Sequence, residues 1–159
     1  MAGQSQMDVL EKRIPKLLAR ISDIADFRRI AADSLRGEND VFVSGLAGSA
    51  RSLFIAGLWH SVRRPIIVIT PHDRDIPDLV TDLDYFHSSI NFSGTSGSSV
   101  SASRVIPFPA WEADPYAGLP PHADIQQARA TALWQLRHKQ ADIVVASMRS
   151  ICARLAGAT

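Results

Sequence analysis

The chain has 159 residues, a length typical of one domain with its own hydrophobic core. Its formal net charge of +1 gives no global signal for a nucleic-acid or membrane partner. The single cysteine, Cys152, excludes an intramolecular disulfide and a thiolate cluster, and its apolar neighbours predict a buried side chain. No apolar run approaches the roughly twenty residues of a membrane span, and no secretory signal pattern is present. We therefore expect a cytoplasmic protein.

The first predicted element is helical. Apolar residues recur at helical spacing over Val9–Leu35, and Gly37 is suited to end the segment. The basic residues on it are mixed with aspartates, which favours a solvated helix face over a nucleic-acid surface. We predict an N-terminal helical segment at 1–36, followed by a partial α/β domain at 37–159.

A short apolar run, Val41–Ser44, leads into a glycine-rich turn and then into a helical pattern. Strand, loop and helix in this order form the context of a phosphate-binding loop, whose pattern is Gly, four residues, Gly, Lys and then Ser or Thr. Gly45 and Ser52 fill the first and last places. Ala50 and Arg51 stand where the second glycine and the lysine belong.

Each replacement has a physical cost for nucleotide binding. A Cβ at position 50 obstructs the close approach of backbone to phosphate. Arginine is planar and bulkier than lysine, so it does not substitute for a compact ammonium at the outer phosphates. A working site with unusual residues is one interpretation, and a decayed site is the one we favour. The degenerate loop consists of Gly45, Gly48, Ser49, Ala50, Arg51 and Ser52.

Three further strands alternate with helical patterns downstream. Pro65–Thr70 and Asp142–Ser147 are apolar on both faces, as in a parallel sheet covered on both sides. Val105–Phe108 is shorter, and its proline favours an edge position or a strand end. The alternation predicts an α/β fold, a parallel sheet with helices on both faces. In the helix before the last strand, the side chains expected to point inward are Ile125, Ala128, Ala132, Leu133 and Leu136.

Two polar stretches lie between these elements. His72 and Asp73, with the aspartates that follow, could suggest metal ligands, but acidic residues in a first helical turn simply suit the helix dipole, so we predict no metal site. Residues 88–103 are rich in serine and poor in apolar residues, which predicts a flexible surface insertion.

An aromatic, proline-bearing stretch, Phe108–Tyr116, precedes Pro121–Ile125. Trp111 and Tyr116 could form a platform on which bases stack. The alternative, which we favour, is that these rings cover an edge of the core. His122 precedes a helical pattern, and we expect it to cap or brace that helix.

These motifs resemble the N-terminal module of the bacterial transcription-repair coupling factors. The resemblance rests on the degenerate loop, on the aromatic stretch with the Pro-His-x-Asp-Ile sequence after it, and on Ile143–Ser147. Because that module is similar to the first motor domain of UvrB, the resemblance implies a P-loop NTPase, helicase-like fold with a degenerate Walker A loop. The residues of the aromatic stretch and the following helix that it marks are Trp111, Glu112, Pro115, Tyr116, His122, Asp124 and Arg129.

The resemblance also implies a function. In that family this module does not bind ATP, so we expect no catalytic residue, cofactor or metal here, and the ATP-driven DNA translocase motor lies elsewhere in a longer protein. A UvrA-binding domain follows the region of Ile143–Leu155, and RNA polymerase and DNA are contacted through other domains. We therefore expect a fragment that serves nucleotide excision repair as a structural and interaction scaffold, linked to UvrA recruitment and motor regulation. By itself it should bind DNA weakly or not at all.

Two other functions stay open from the residues alone. An active P-loop ATPase that tolerates Ala50 and Arg51 would be protected by ATP against thermal unfolding. A nucleic-acid-binding module that uses Trp111, Tyr116 and nearby arginines would bind DNA in a salt-dependent manner.

The serine-rich segment gives a first testable prediction. Limited proteolysis should cut first within residues 88–103, because this segment has almost no apolar surface to offset the entropy of ordering. The first fragments are to be identified by mass spectrometry after brief digestion with a protease of low specificity. Initial cutting within Val41–Ile69 would contradict the predicted organisation.

Overall fold

The computed structural model describes residues 13–37, 40–91, 104–111 and 120–152. These residues form two compact units. The first unit contains the described residues up to Arg64 together with those from Asp82 to Asn91, and the second contains Pro65–Thr81 and the described residues from Arg104 onward. No helix within these ranges is long and apolar enough to cross a membrane.

The regular secondary structure in the described part of the first unit is helical. Its helices are α1 at residues 13–22, α2 at Ala25–Arg36, α3 at Ser49–Val62, and the second half of α4, which spans Ile76–Asn91. From residue 13 onward, the predicted helical segment therefore consists of two helices, because Ile24 leaves the helical conformation with a ψ of 125°. Gly37 ends α2 as predicted: its φ is 70°, and its N–H donates to the carbonyl of Asp33 at 2.9 Å.

Apolar side chains of α1, α3 and α4 share one core in this unit. The buried members of the cluster are Ile14, Leu18, Ala56 and Ile90. Phe27 of α2 is also buried and meets Phe54 of α3 edge to face, with ring centroids 5.4 Å apart. A Cβ added at Gly57 would lie 3.1 Å from Cδ2 of Leu18, so the missing side chain permits the close approach of α1 to α3.

The second unit holds a three-stranded parallel sheet in the order β1-β3-β2. Ile66 of β1 and Val105 of β2 both align with Ile143 of β3. This confirms the predicted α/β class and the parallel sheet, which among the described residues has three strands. The elements of the unit are β1 at Ile66–Thr70, a 3-10 turn at Asp73–Asp75, the start of α4, β2 at Val105–Phe108, α5 at Ala123–Arg137, β3 at Ile143–Ser147 and α6 at Met148–Cys152.

Helix α5 covers one face of the sheet over β2 and β3. The buried cluster there consists of Ile106, Phe108, Ala132, Ala141, Val144 and Ala146, with Leu136 packed against it. The same face continues on β1 through Ile67 and Ile69, which align with Val144 and Ala146, yet these two side chains are 59% and 52% exposed. The prediction that both faces of these strands are covered is therefore correct for β3, all of whose residues are buried. It is wrong for β1, which lies at the edge of the sheet.

The strand predicted at Val41–Ser44 is absent. Residues 41–47 adopt no regular secondary structure, and the Phe42 side chain is 97% exposed. A strand requires a neighbour for its backbone N–H and C=O groups. The run is short and, within the described residues, belongs to the first unit, whereas all the strands of the sheet belong to the second.

Three smaller predictions need correction. Residues 88–91 belong to α4, where Ser89 and Ile90 are buried, and 92–103 lie outside the described residues. Leu133 is 41% exposed because it lies one position beyond the buried Ala132, about 100° further around α5. Cys152 is exposed at the end of α6, so it is not the buried side chain that its neighbours indicated.

Two isoleucines of the sheet provide a matched test of this packing. Ile143→Ala should lower the free energy of unfolding by about 3 kcal/mol, because a fully buried side chain leaves a cavity. Ile67→Ala, at a 59% exposed position, should cost less than about 1 kcal/mol. Urea unfolding followed by circular dichroism measures both, and equal losses would show that the β1 face is covered in solution.

Candidate functional site

The turn that the P-loop pattern predicts is present before α3. Gly45 and Gly48 have φ angles of 83° and 53°, values that favour glycine over residues with a Cβ. Gly48 directly precedes Ser49, the exposed first residue of α3. The two glycines therefore have the backbone role expected of them, although no strand precedes the turn.

The residues after this turn present little to a phosphate. Ala50 and Arg51 are exposed, and their N–H groups already donate to the carbonyls of Ala47 and Gly48 at 3.2 and 3.3 Å. Ser52 is 1% exposed, and its Oγ has no hydrogen-bond partner among the described residues. A hydroxyl that binds magnesium must face the ligand. The loop thus has the glycine turn of a P-loop, but its hydroxyl is buried and it has no lysine.

A second constellation lies in the other unit, at the carboxyl ends of the parallel strands, where open α/β sheets place their ligands. Arg129 of α5 is its centre and is 1% exposed. Its Nη1 donates to the carbonyl of Pro109 at 2.6 Å and to that of Ser150 at 3.4 Å. Its Cζ lies 4.1 Å from the ring centroid of Phe108 and 4.6 Å from that of Trp111, which makes both rings cation-π partners.

Asp73 binds the backbone of the residues that follow β2. Its Oδ1 accepts a hydrogen bond from the N–H of Ala110 at 2.9 Å. Burial lowers the pKa of Arg129 below its usual value, and the charge of Asp73 partly offsets this effect. Asp73, considered above as a metal ligand, therefore fixes backbone instead. No group of three potential metal ligands occurs among the described residues.

Hydroxyl groups complete the strand ends. Ser147 Oγ accepts from the N–H of Ser150 at 3.0 Å, and Ser150 Oγ donates to the carbonyl of Ser147 at 2.8 Å. Thr70 Oγ1 donates to the carbonyl of His72 at 3.0 Å. These three side chains are buried and bind backbone, so they stabilise turns and are not free nucleophiles.

His122 begins α5 as predicted. Its Nδ1 accepts a hydrogen bond from the N–H of Asp124 at 3.4 Å, a cap of the first turn. The exposed Asp124 lies in that turn, where a negative charge suits the helix dipole. Glu112, Pro115 and Tyr116 lie outside the described residues.

Sequence reasoning missed the burial of Arg129 and the part played by Ser150. The signal for Arg129 was present in its spacing. It stands four residues after Ile125 and three before Ala132, two positions predicted to point inward, so it shares their face of the helix. No sequence pattern indicates the role of Ser150, because every residue has a backbone carbonyl and only the fold brings this one to Arg129.

One curated protein that is similar to this chain is a transcription-repair-coupling factor from Myxococcus xanthus, 33% identical over 104 residues. The match covers 65% of this chain and 8% of that protein, so the chain corresponds to a small part of its relative. No family model matches the chain, and no solved structure matches it.

Two tryptophans give a matched test of the Arg129 constellation. Trp111→Ala should lower the free energy of unfolding by about 2 kcal/mol, because a half-buried ring and its cation-π contact are lost. Trp134→Ala on α5, where the side chain is 53% exposed and its ring contacts the tilted ring of His138, should cost about 0.5 kcal/mol. Both are measured by urea unfolding. Equal small losses would show that Trp111 does not stabilise the fold.

Proposed function

We propose that this chain forms a non-motor module of a transcription-repair coupling protein and serves DNA repair as a structural and interaction scaffold. The observation that carries the proposal is the 33% identity over 104 residues to such a protein. Because that match covers 8% of the relative, the activity of a whole coupling factor is not assigned to this chain alone.

The fold that we propose is helicase-like, related to the first domain of UvrB, with a degenerate Walker A loop. Three parallel strands with intervening helices support it, as does the glycine turn before α3. The Arg129 constellation adds a structural reason for the aromatic, proline-bearing stretch on which the resemblance rests.

We propose further that the module does not bind ATP and is not itself an enzyme. Three properties of the loop support this. Position 50 carries a Cβ, position 51 carries an exposed guanidinium in place of an ammonium, and the Ser52 hydroxyl is buried. Stabilising a transferred phosphoryl group requires a cation and a bound metal at the loop. Here the lysine ammonium is missing, and the hydroxyl that would bind the metal is buried.

The proposed partners are repair proteins. UvrA would bind through the region that follows in a longer protein, and RNA polymerase and DNA would bind through other domains. A formal net charge of +1 supports weak or absent DNA binding by the module itself. In this proposal the module is located in the cytoplasm. It would regulate the translocase motor of the longer protein.

Thermal unfolding with and without magnesium-ATP tests this proposal. We expect no change in melting temperature at millimolar ATP. A functional site occupied at a hundred times its dissociation constant would add about 2.7 kcal/mol, which corresponds to several degrees for a chain of this size. A saturable rise that Arg51→Ala abolishes would show an active nucleotide site and overturn the proposal.

The double variant Ala50→Gly with Arg51→Lys is the matched control. It restores both missing P-loop residues and leaves the rest of the loop unchanged. We expect no ATP-dependent shift in this variant either, because the Ser52 side chain stays buried. A shift that appears only in the double variant would show that the two replacements alone prevent binding.

A further inference from the structure

The guanidinium of Arg129 has more hydrogen-bond donors than its surroundings use. Nη1 donates to two backbone carbonyls, those of Pro109 and Ser150. Nε and Nη2 make no hydrogen bond with any described residue, although the side chain is only 1% exposed. A buried donor without a partner lowers the stability of the fold, so an acceptor bound to these two nitrogens would be stabilising.

The two nitrogens form one edge of a planar group. Their N–H bonds run side by side and parallel, which is the arrangement that binds the two oxygens of a carboxylate or phosphate at once. The rings of Phe108 and Trp111 lie against the guanidinium, with centroids 4.1 and 4.6 Å from Cζ. A further hydrogen-bonding partner therefore belongs at the edge.

Charge selects between the two oxyanions. Arg129 supplies one positive charge, and Asp73 is already close enough to act on it electrostatically. With Arg129 and Asp73 counted together, a phosphate dianion would bring the local formal charge to about −2, whereas a carboxylate brings it only to about −1, so repulsion from Asp73 and the two carbonyl oxygens is smaller. The monoanion is the better fit.

We propose that the Nε and Nη2 edge of Arg129 is a carboxylate-binding site at the carboxyl end of the sheet. The carboxylate comes either from a free organic acid or from an acidic side chain of a bound protein. The site consists of Arg129 on α5 and residues 109–111 after β2, so it does not depend on the function proposed above.

Nuclear magnetic resonance of the 159-residue chain tests this site directly. The probe is sodium formate, compared with sodium chloride at equal ionic strength. We expect a saturable, formate-specific shift of the Nε–H signal of Arg129, which is assigned by its loss in Arg129→Lys. The matched control is Arg137, an exposed arginine on the same helix, whose Nε–H signal should respond equally to both salts.

A second arm identifies the source of the carboxylate. The capped peptide Gly-Glu-Gly is compared with Gly-Gln-Gly at equal concentration. A shift with the glutamate peptide supports a side chain of a bound protein, and a shift with formate alone supports a free acid.

Three results would overturn the proposal. Identical responses to formate and chloride would mean that the edge does not select carboxylates. A response to inorganic phosphate without one to formate would contradict the charge argument. Sensitivity to formate that appears only after Glu112→Gln with Asp114→Asn would mean that the chain's own carboxylate occupies the edge.

Discussion

A charged guanidinium buried at the end of a parallel sheet is the constraint on which the second unit depends. An isolated charge is expensive to remove from water, and it is retained only where its surroundings replace the lost hydration. Around Arg129 the replacement comes from two aromatic rings, two carbonyl oxygens and the nearby charge of Asp73. One side chain thereby connects α5 to the residues after β2 and to the start of α6.

This constraint accounts for the composition of the stretch Phe108–Trp111. The first and last residues supply rings to the guanidinium, and Pro109 supplies a carbonyl while lacking an N–H that would itself need a partner. Ala110 is 1% exposed and gives its N–H to Asp73. The composition of Phe108–Trp111 is thus explained by packing and hydrogen bonds within the fold.

Features that depend on neighbouring residues in the chain were predicted correctly from the sequence. The predictions that failed concern features that depend on residues distant in the chain. The periodicity of the strands and helices, the cap at Gly37 and the cap at His122 depend on neighbouring residues, and the structure confirms them. The run at Val41–Ser44 has a strand composition, but strand formation requires a partner that its composition does not specify. Ile67 is exposed for a related reason, since the width of a covering helix is not encoded in the strand beneath it. The burial of Arg129 likewise depends on the rings of Phe108 and Trp111, about twenty positions earlier in the chain.

The two candidate sites differ in what a substitution would cost the fold, and this difference bears on function. Ala50 and Arg51 are exposed, so a substitution at either position has little effect on packing. Arg129 is buried among specific partners, and replacing it would leave two rings and two carbonyls without their central group. Substitutions at positions 50 and 51 should therefore be tolerated by the fold, whereas substitutions of Arg129 should not. This contrast agrees with the scaffold function proposed above, in which the fold of the module matters more than nucleotide binding.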